Sequence, residues 1–87
     1  MWIRSQNRLK LINSYSYNRI EIEGILSIIE EKHDCVIVAY KDKDRVILGA
    51  YSSKENAIDA LAYIQECIYL CKTEIYMPLE RDGELLK

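Results

Sequence analysis

The sequence predicts an α+β fold: a small antiparallel sheet, one long helix packed on it, and a short C-terminal strand. Three stretches carry that expectation. Arg19-Ile20-Glu21-Ile22-Glu23 alternates apolar and charged residues, the two-residue period of a half-buried strand. Cys35-Val36-Ile37-Val38-Ala39-Tyr40 is almost continuously apolar and largely β-branched, as a central strand requires. Ser52-Ser53-Lys54-Glu55 then reads as a capping box, with the Ser52 hydroxyl accepting the Glu55 amide and the Glu55 side chain reaching back.

The other elements follow in order. Residues 1–4 form a short strand that ends in the polar turn Ser5-Gln6-Asn7. Leu9, Leu11 and Ile12 suit either a strand or a tight helical turn, and residues 14–18 form a loop of serine, tyrosine and asparagine. After the strand at 19–23, Gly24 interrupts, residues 25–29 continue as another strand, and 30–34 turn back. Lys41-Asp42-Lys43-Asp44 is a charged turn, and residues 45–51 are the hairpin partner of the central strand. A helix from about 53 to 72 precedes a last strand at 74–77, which Pro78 stops. Residues 1–78 make one domain, and 79–87 form a charged, mobile tail.

Eighty-seven residues lie near the lower limit for a core without staples, so the chain must pack tightly or share buried surface with a partner. Three glycines and one proline leave no room for a linker, and no apolar run reaches membrane-spanning length. The start lacks a signal-peptide core, which leads us to expect a cytoplasmic protein. Three cysteines, an odd number, do not make a disulfide framework; Cys35, Cys67 and Cys71 read as free thiols. Cys67 and Cys71 would share a helix face, and His33-Asp34-Cys35 adds donors. No C-x-x-C pair or second regular cluster completes a metal site, so no metal or cofactor is expected. His33 reads as a solvated loop residue.

The helix carries more apolar surface than one core needs. Ala57, Leu61, Ile64, Ile68 and Cys71 form one stripe, and Ala60, Tyr63, Cys67 and Leu70 form a second beside it. Together they exceed the ~100° stripe usual for a helix on one core. Either the sheet curls around both stripes, or the second meets its copy in another subunit as an isologous homodimer interface.

Charge is distributed just as unevenly. The chain has a formal charge of -2, yet its first 19 residues hold Arg4, Arg8, Lys10 and Arg19 and no acid. If those side chains converge, they make an anion site on an acidic protein. Arginine forks suit phosphate oxygens. Ser5 and Gln6 add hydrogen-bonding groups that would set orientation, and Tyr15 or Tyr17 offers a ring on which a base could stack. Trp2 reads as either a stacker or a core anchor. The structural alternative pairs Arg4 and Arg8 with acids such as Glu21 and Glu23, and makes Tyr15 and Tyr17 half-buried sheet positions.

Other functions are less well supported. A long nucleic acid is disfavoured by the acidic remainder of the chain. No Gly-rich phosphate loop, nucleophile elbow or His-nucleophile pair is present, so no catalytic residues are assigned and an enzyme is not expected.

The opening MWIRSQ, the segment RVILGAYSSKENAIDALAYIQ and the late YMP resemble small uncharacterised proteins of phages and mobile elements of Gram-positive bacteria. That class carries no established activity, so no catalytic residues transfer from it. The resemblance implies an accessory or counter-defence factor inside a bacterial host. Combined with the basic, aromatic segment, it leads us to expect a non-enzymatic homo-oligomer that sequesters a small anionic nucleotide signal. The alternative is a module that docks on a host defence protein and inhibits it.

Overall fold

The computed structural model describes residues 1–24 and 35–79. The strand expected at 25–29, its turn with His33, and the tail from residue 80 onward lie outside the described residues. The rest is an α+β fold in which one helix packs on two small sheets. Strands β1 (Trp2–Arg4), β2 (Leu11–Asn13) and β6 (Glu74–Tyr76) form one sheet in the order β2-β1-β6. Strands β3 (Arg19–Gly24), β4 (Cys35–Lys41) and β5 (Asp44–Tyr51) form the other, with β4 central. Helix α1 (Lys54–Tyr69) runs between β5 and β6. One antiparallel sheet was the expectation; the N-terminal strand instead joins a separate sheet, where β6 lies parallel to β1.

Each sheet is built on its pleat. In the first, Ile3 pairs with both Ile12 and Ile75, and these three side chains share the buried face. Trp2, Arg4, Leu11, Asn13, Glu74 and Tyr76 occupy the register positions of the opposite, outer face. In the second sheet, Cys35, Ile37 and Ala39 enter the core with Leu48 and Tyr51. Val36 and Val38 alternate with them and are buried as well, so the near-continuous apolar run does mark a strand covered on both faces. Leu9–Ile12 resolves as strand only from Leu11, and residues Ser14–Ser16 form a 3-10 turn, with Asn13 Oδ1 accepting from the Tyr15 amide.

The hairpin is tighter than the four-residue turn expected, because Lys41 and Asp44 already pair and only Asp42 and Lys43 turn. Asp42 takes a left-handed φ of 50°, and its amide donates to Asn18 Oδ1 at 3.1 Å. Farther along β5 the register slips: Ile37 faces Gly49 and Val38 faces Ile47, which leaves Leu48 as a bulge.

The helix begins one residue later than the Ser52–Glu55 box implies. Ser53 is the last extended residue, and its Oγ accepts the Asn56 amide at 3.1 Å. The end is a Schellman motif: the Cys71 amide donates to Ile68 O and the Lys72 amide to Cys67 O, both at 3.0 Å. This places Cys71 at a left-handed φ of 58°, a position that favours glycine. The turn stops the helix three residues short of the expected Lys72 and lets Thr73 reach β1, whose Trp2 amide donates to Thr73 O at 2.9 Å. Cys71→Gly therefore removes left-handed strain and is expected to stabilise the fold by roughly 1 kcal/mol. For a domain of this size, thermal unfolding monitored by circular dichroism would register a rise of about 4–8 °C.

Candidate functional site

A groove of about 810 Å³ runs between the N-terminal segment and α1. One wall is Trp2, Asn13 and Ser14, followed by Tyr15, Tyr17 and Asn18. Arg19 and Ile20 continue it at the start of β3. The facing wall is the helix surface at Leu61, Ile64, Gln65 and Ile68, closed by the Cys71-Lys72-Thr73 turn. The volume falls within the ~300–1,000 Å³ usual for small-molecule sites. Among the described residues its lining contains the cationic side chains Arg19 and Lys72 and no carboxylate, although Glu21 lies just behind Arg19.

Local geometry fixes these groups. The Ser14 amide donates to Met1 O at 2.8 Å, and the Asn18 amide to Tyr40 O at 2.7 Å, so the 14–18 segment is pinned at both ends. Tyr15 stands out from its 3-10 turn, 86% exposed. Tyr17 is partly buried and packs against the core, so one side of its ring is fixed. Trp2 is 46% exposed on the outer face of β1, which makes it a surface ring and not a core anchor. The Arg19 guanidinium sits 4.2 Å from the centre of the Tyr40 ring, and its Nε lies 3.3 Å from Glu21. Both held sides leave its two Nη groups without a partner among the described residues.

The three arginines expected to converge fall in two places. Arg19 belongs to the groove, while Arg4 and Arg8 meet at the Tyr76 ring on the outer face of the β1 sheet. Glu23 pairs with Arg45, at 2.9 Å, and not with either of them.

Ser5 and Gln6 have structural tasks, contrary to the orienting role expected of them. Ser5 is only 2% exposed; its Oγ donates to Asn7 Oδ1 at 2.8 Å and accepts from the Lys10 amide at 3.1 Å, which closes the turn between β1 and β2. The Gln6 amide donates to Leu48 O at 2.7 Å, and its side-chain Oε1 accepts from Ala50 at 2.9 Å. Its Nε2 reaches Pro78 O at 3.2 Å, an acceptor it shares with the Tyr51 hydroxyl at 2.7 Å. A short polar side chain in a turn is as apt to satisfy backbone as to meet a ligand.

The helix surplus also divides differently. Ala57, Ala60, Ile64 and Cys67 form the buried face, so Ala60 and Cys67 of the expected oligomer stripe lie inside the single chain. Tyr63 and Leu70 of that stripe remain exposed. Leu61 and Ile68, from the other stripe, line the groove. Partial desolvation, then the Cys67 thiol and Glu66, hold the Tyr63 phenol above its usual pKa, so it stays neutral near pH 7.

Lys72, Gln65 and Thr73 were not legible as site residues. They lie about fifty residues from Arg19 in sequence; the packing of α1 places Gln65 in the groove, and the parallel pairing of β6 with β1 brings Lys72 and Thr73 to Trp2. Among the described residues no group of three or more His, Cys, Asp or Glu side chains is placed to hold a metal, and all three cysteines are free. No helix there is long and apolar enough to cross a membrane. No family model, curated protein or solved structure matches the chain.

Gln6→Leu keeps the side chain's approximate size but leaves the Ala50 amide without its acceptor. We expect a loss of about 1–3 kcal/mol in urea unfolding. Any ligand capture by the folded protein should be unchanged; weakened capture at full stability would return Gln6 to the site.

Proposed function

We propose that the protein is a non-enzymatic binder that captures a small anionic nucleotide in the groove between its N-terminal segment and α1. The observation that carries this reading is the lining: three aromatic rings and two cationic side chains with no carboxylate among the described residues, on a chain of net charge -2. Trp2, Tyr15 and Tyr17 supply faces for a base, and Leu61 and Ile68 supply apolar contact. Arg19, with its Nη groups unpartnered and its plane held on Tyr40, and Lys72 across the groove take the phosphate. Asn13, Asn18 and Gln65 offer amide donors and acceptors to the base edge.

Capture without turnover fits a sponge, the role that the resemblance to phage and mobile-element proteins suggests. Self-association through the exposed Tyr63 and Leu70 belongs to the same proposal. A second reading, docking on a host protein, draws on the exposed Ile58 and Tyr69, eleven residues apart and hence on one helix face.

Trp2 is the one tryptophan and stands in the groove wall, so its fluorescence reports occupancy. Titration with a panel of linear, cyclic and ADP-ribose-type nucleotides should give a saturable change for at least one member, and heating should release that ligand unchanged. Tyr17→Ala should weaken its capture roughly 5- to 150-fold, the range for losing one base-ring stack. Lys72→Ala should weaken capture and flatten its salt dependence. Light scattering on the same samples should give at least twice the monomer mass. A panel in which no member changes the fluorescence defeats the binder reading, and a specific host protein retained by such a sample favours docking.

A further inference from the structure

The turn between β1 and β2 holds a second cationic feature that the groove does not use. Register places Arg4 directly beside Tyr76 on the outer face of the first sheet. From the turn, Arg8 reaches the same ring. Their guanidinium carbons lie 5.9 Å and 4.6 Å from its centre, and Arg4 Nη1 donates to Arg8 O at 3.3 Å. Among the described residues the ion pairs are Arg19–Glu21 and Arg45–Glu23, so neither Arg4 nor Arg8 has a carboxylate partner there. Two like charges gathered on one ring repel each other, and Glu74, the nearest described acid along that face of β6, makes no ion pair with either of them.

Two further observations point to an anion. The Arg4 Nε–H is shut away from solvent without an acceptor among the described residues, so one side of this guanidinium is desolvated and attracts negative charge more strongly than a hydrated one would. Arg8 holds a left-handed φ of 69°, a conformation that glycine or asparagine would adopt more readily. The turn around it is closed by Ser5 and Asn7: the Arg8 amide donates to Ser5 O at 2.8 Å and the Leu9 amide to Asn7 Oδ1 at 2.9 Å. The fold therefore keeps arginine at a strained position whose side chain adds charge beside another arginine.

We propose that Arg4 and Arg8, braced on Tyr76, form a phosphate site separate from the groove. Because the arginines occupy the Tyr76 ring, it serves as a brace for them and not as a platform for a base. The occupant is thus a phosphate group, either free or as the terminal phosphate of an ester. Two guanidinium forks match the several oxygens of a dianion better than they match a single carboxylate.

The test is a titration of protein carrying ¹⁵N-arginine, with the Nε–Hε resonances observed. Inorganic phosphate is one probe and adenosine 5′-monophosphate the other. Arg4 and Arg8 should shift saturably with both probes, at constant ionic strength, while Arg45 stays put. Equal affinity for the two probes identifies free phosphate as the preferred occupant; tighter binding of the nucleotide identifies an ester. Arg8→Gly suits the left-handed turn, so it should unfold at a higher temperature than the parent chain yet bind phosphate at least tenfold more weakly. Lys72→Ala, which alters the groove at an exposed side chain, should leave the Arg4 and Arg8 shifts in place, so failure of the groove reading is distinguishable. Equal, unsaturable movement of all five arginines, or unchanged phosphate binding in Arg8→Gly, overturns the proposal.

Discussion

The two sheets are joined across their shared apolar core by a polar clasp centred on Gln6, and the position of β1 against β5 depends on it. Gln6 behaves like one residue of a strand added to the β5 edge. It donates its amide to Leu48 O and offers its side-chain oxygen to the Ala50 amide, on either side of Gly49. Its remaining donor and the Tyr51 hydroxyl converge on Pro78 O. One residue, through its backbone amide and its side chain, thus ties together the end of β1, the bulged stretch of β5 and the segment after β6. Gly49 belongs to the same joint, because a Cβ there would stand 3.0 Å from the Tyr51 hydroxyl and 3.1 Å from its ring. Polar groups enclosed in this way are costly when unpaired, so the joint favours one arrangement of the sheets over slipped alternatives.

The groove follows from that joint. With β1 fixed against β5, the chain leaving α1 turns back at Cys71 and lays β6 parallel to β1. Lys72 and Thr73 then arrive beside Trp2, while the 14–18 segment is pinned opposite the helix. Leu61 and Ile68 of the first apolar stripe of α1 become a groove wall, while Ala60 and Cys67 of the second, the one that suggested a subunit interface, are buried within the chain. The basic start of the chain is divided by the same geometry: Arg19 faces the groove, and Arg4 and Arg8 face outward over Tyr76.

What was legible in the sequence was whatever is encoded locally. The alternation at 19–23, the β-branched run at 35–40 and the serine-led helix start each report a period or a cap within a few residues. The antiparallel hairpin follows from two adjacent runs and a polar turn. What stayed hidden needed long-range pairing. Nothing near Glu74-Ile75-Tyr76 announces that it will lie parallel to β1, and that pairing sets both the division into two sheets and the far wall of the groove. The amides of Ser5 and Gln6 looked like ligand contacts because composition does not distinguish a donor aimed at backbone from one aimed outward. The basic segment was noticed correctly as a concentration of charge, but its division turns on strand register.

Native-state hydrogen exchange tests the clasp most directly, because it asks whether the two sheets open as one unit. If Gln6 joins them, the Ala50 and Met77 amides should exchange with the same opening free energy as the β4 core amides of Ile37 and Val38. Slow exchange in β4 with a markedly lower opening free energy at Met77 and Ala50 would show the sheets separating independently, and would contradict a groove preformed by their union.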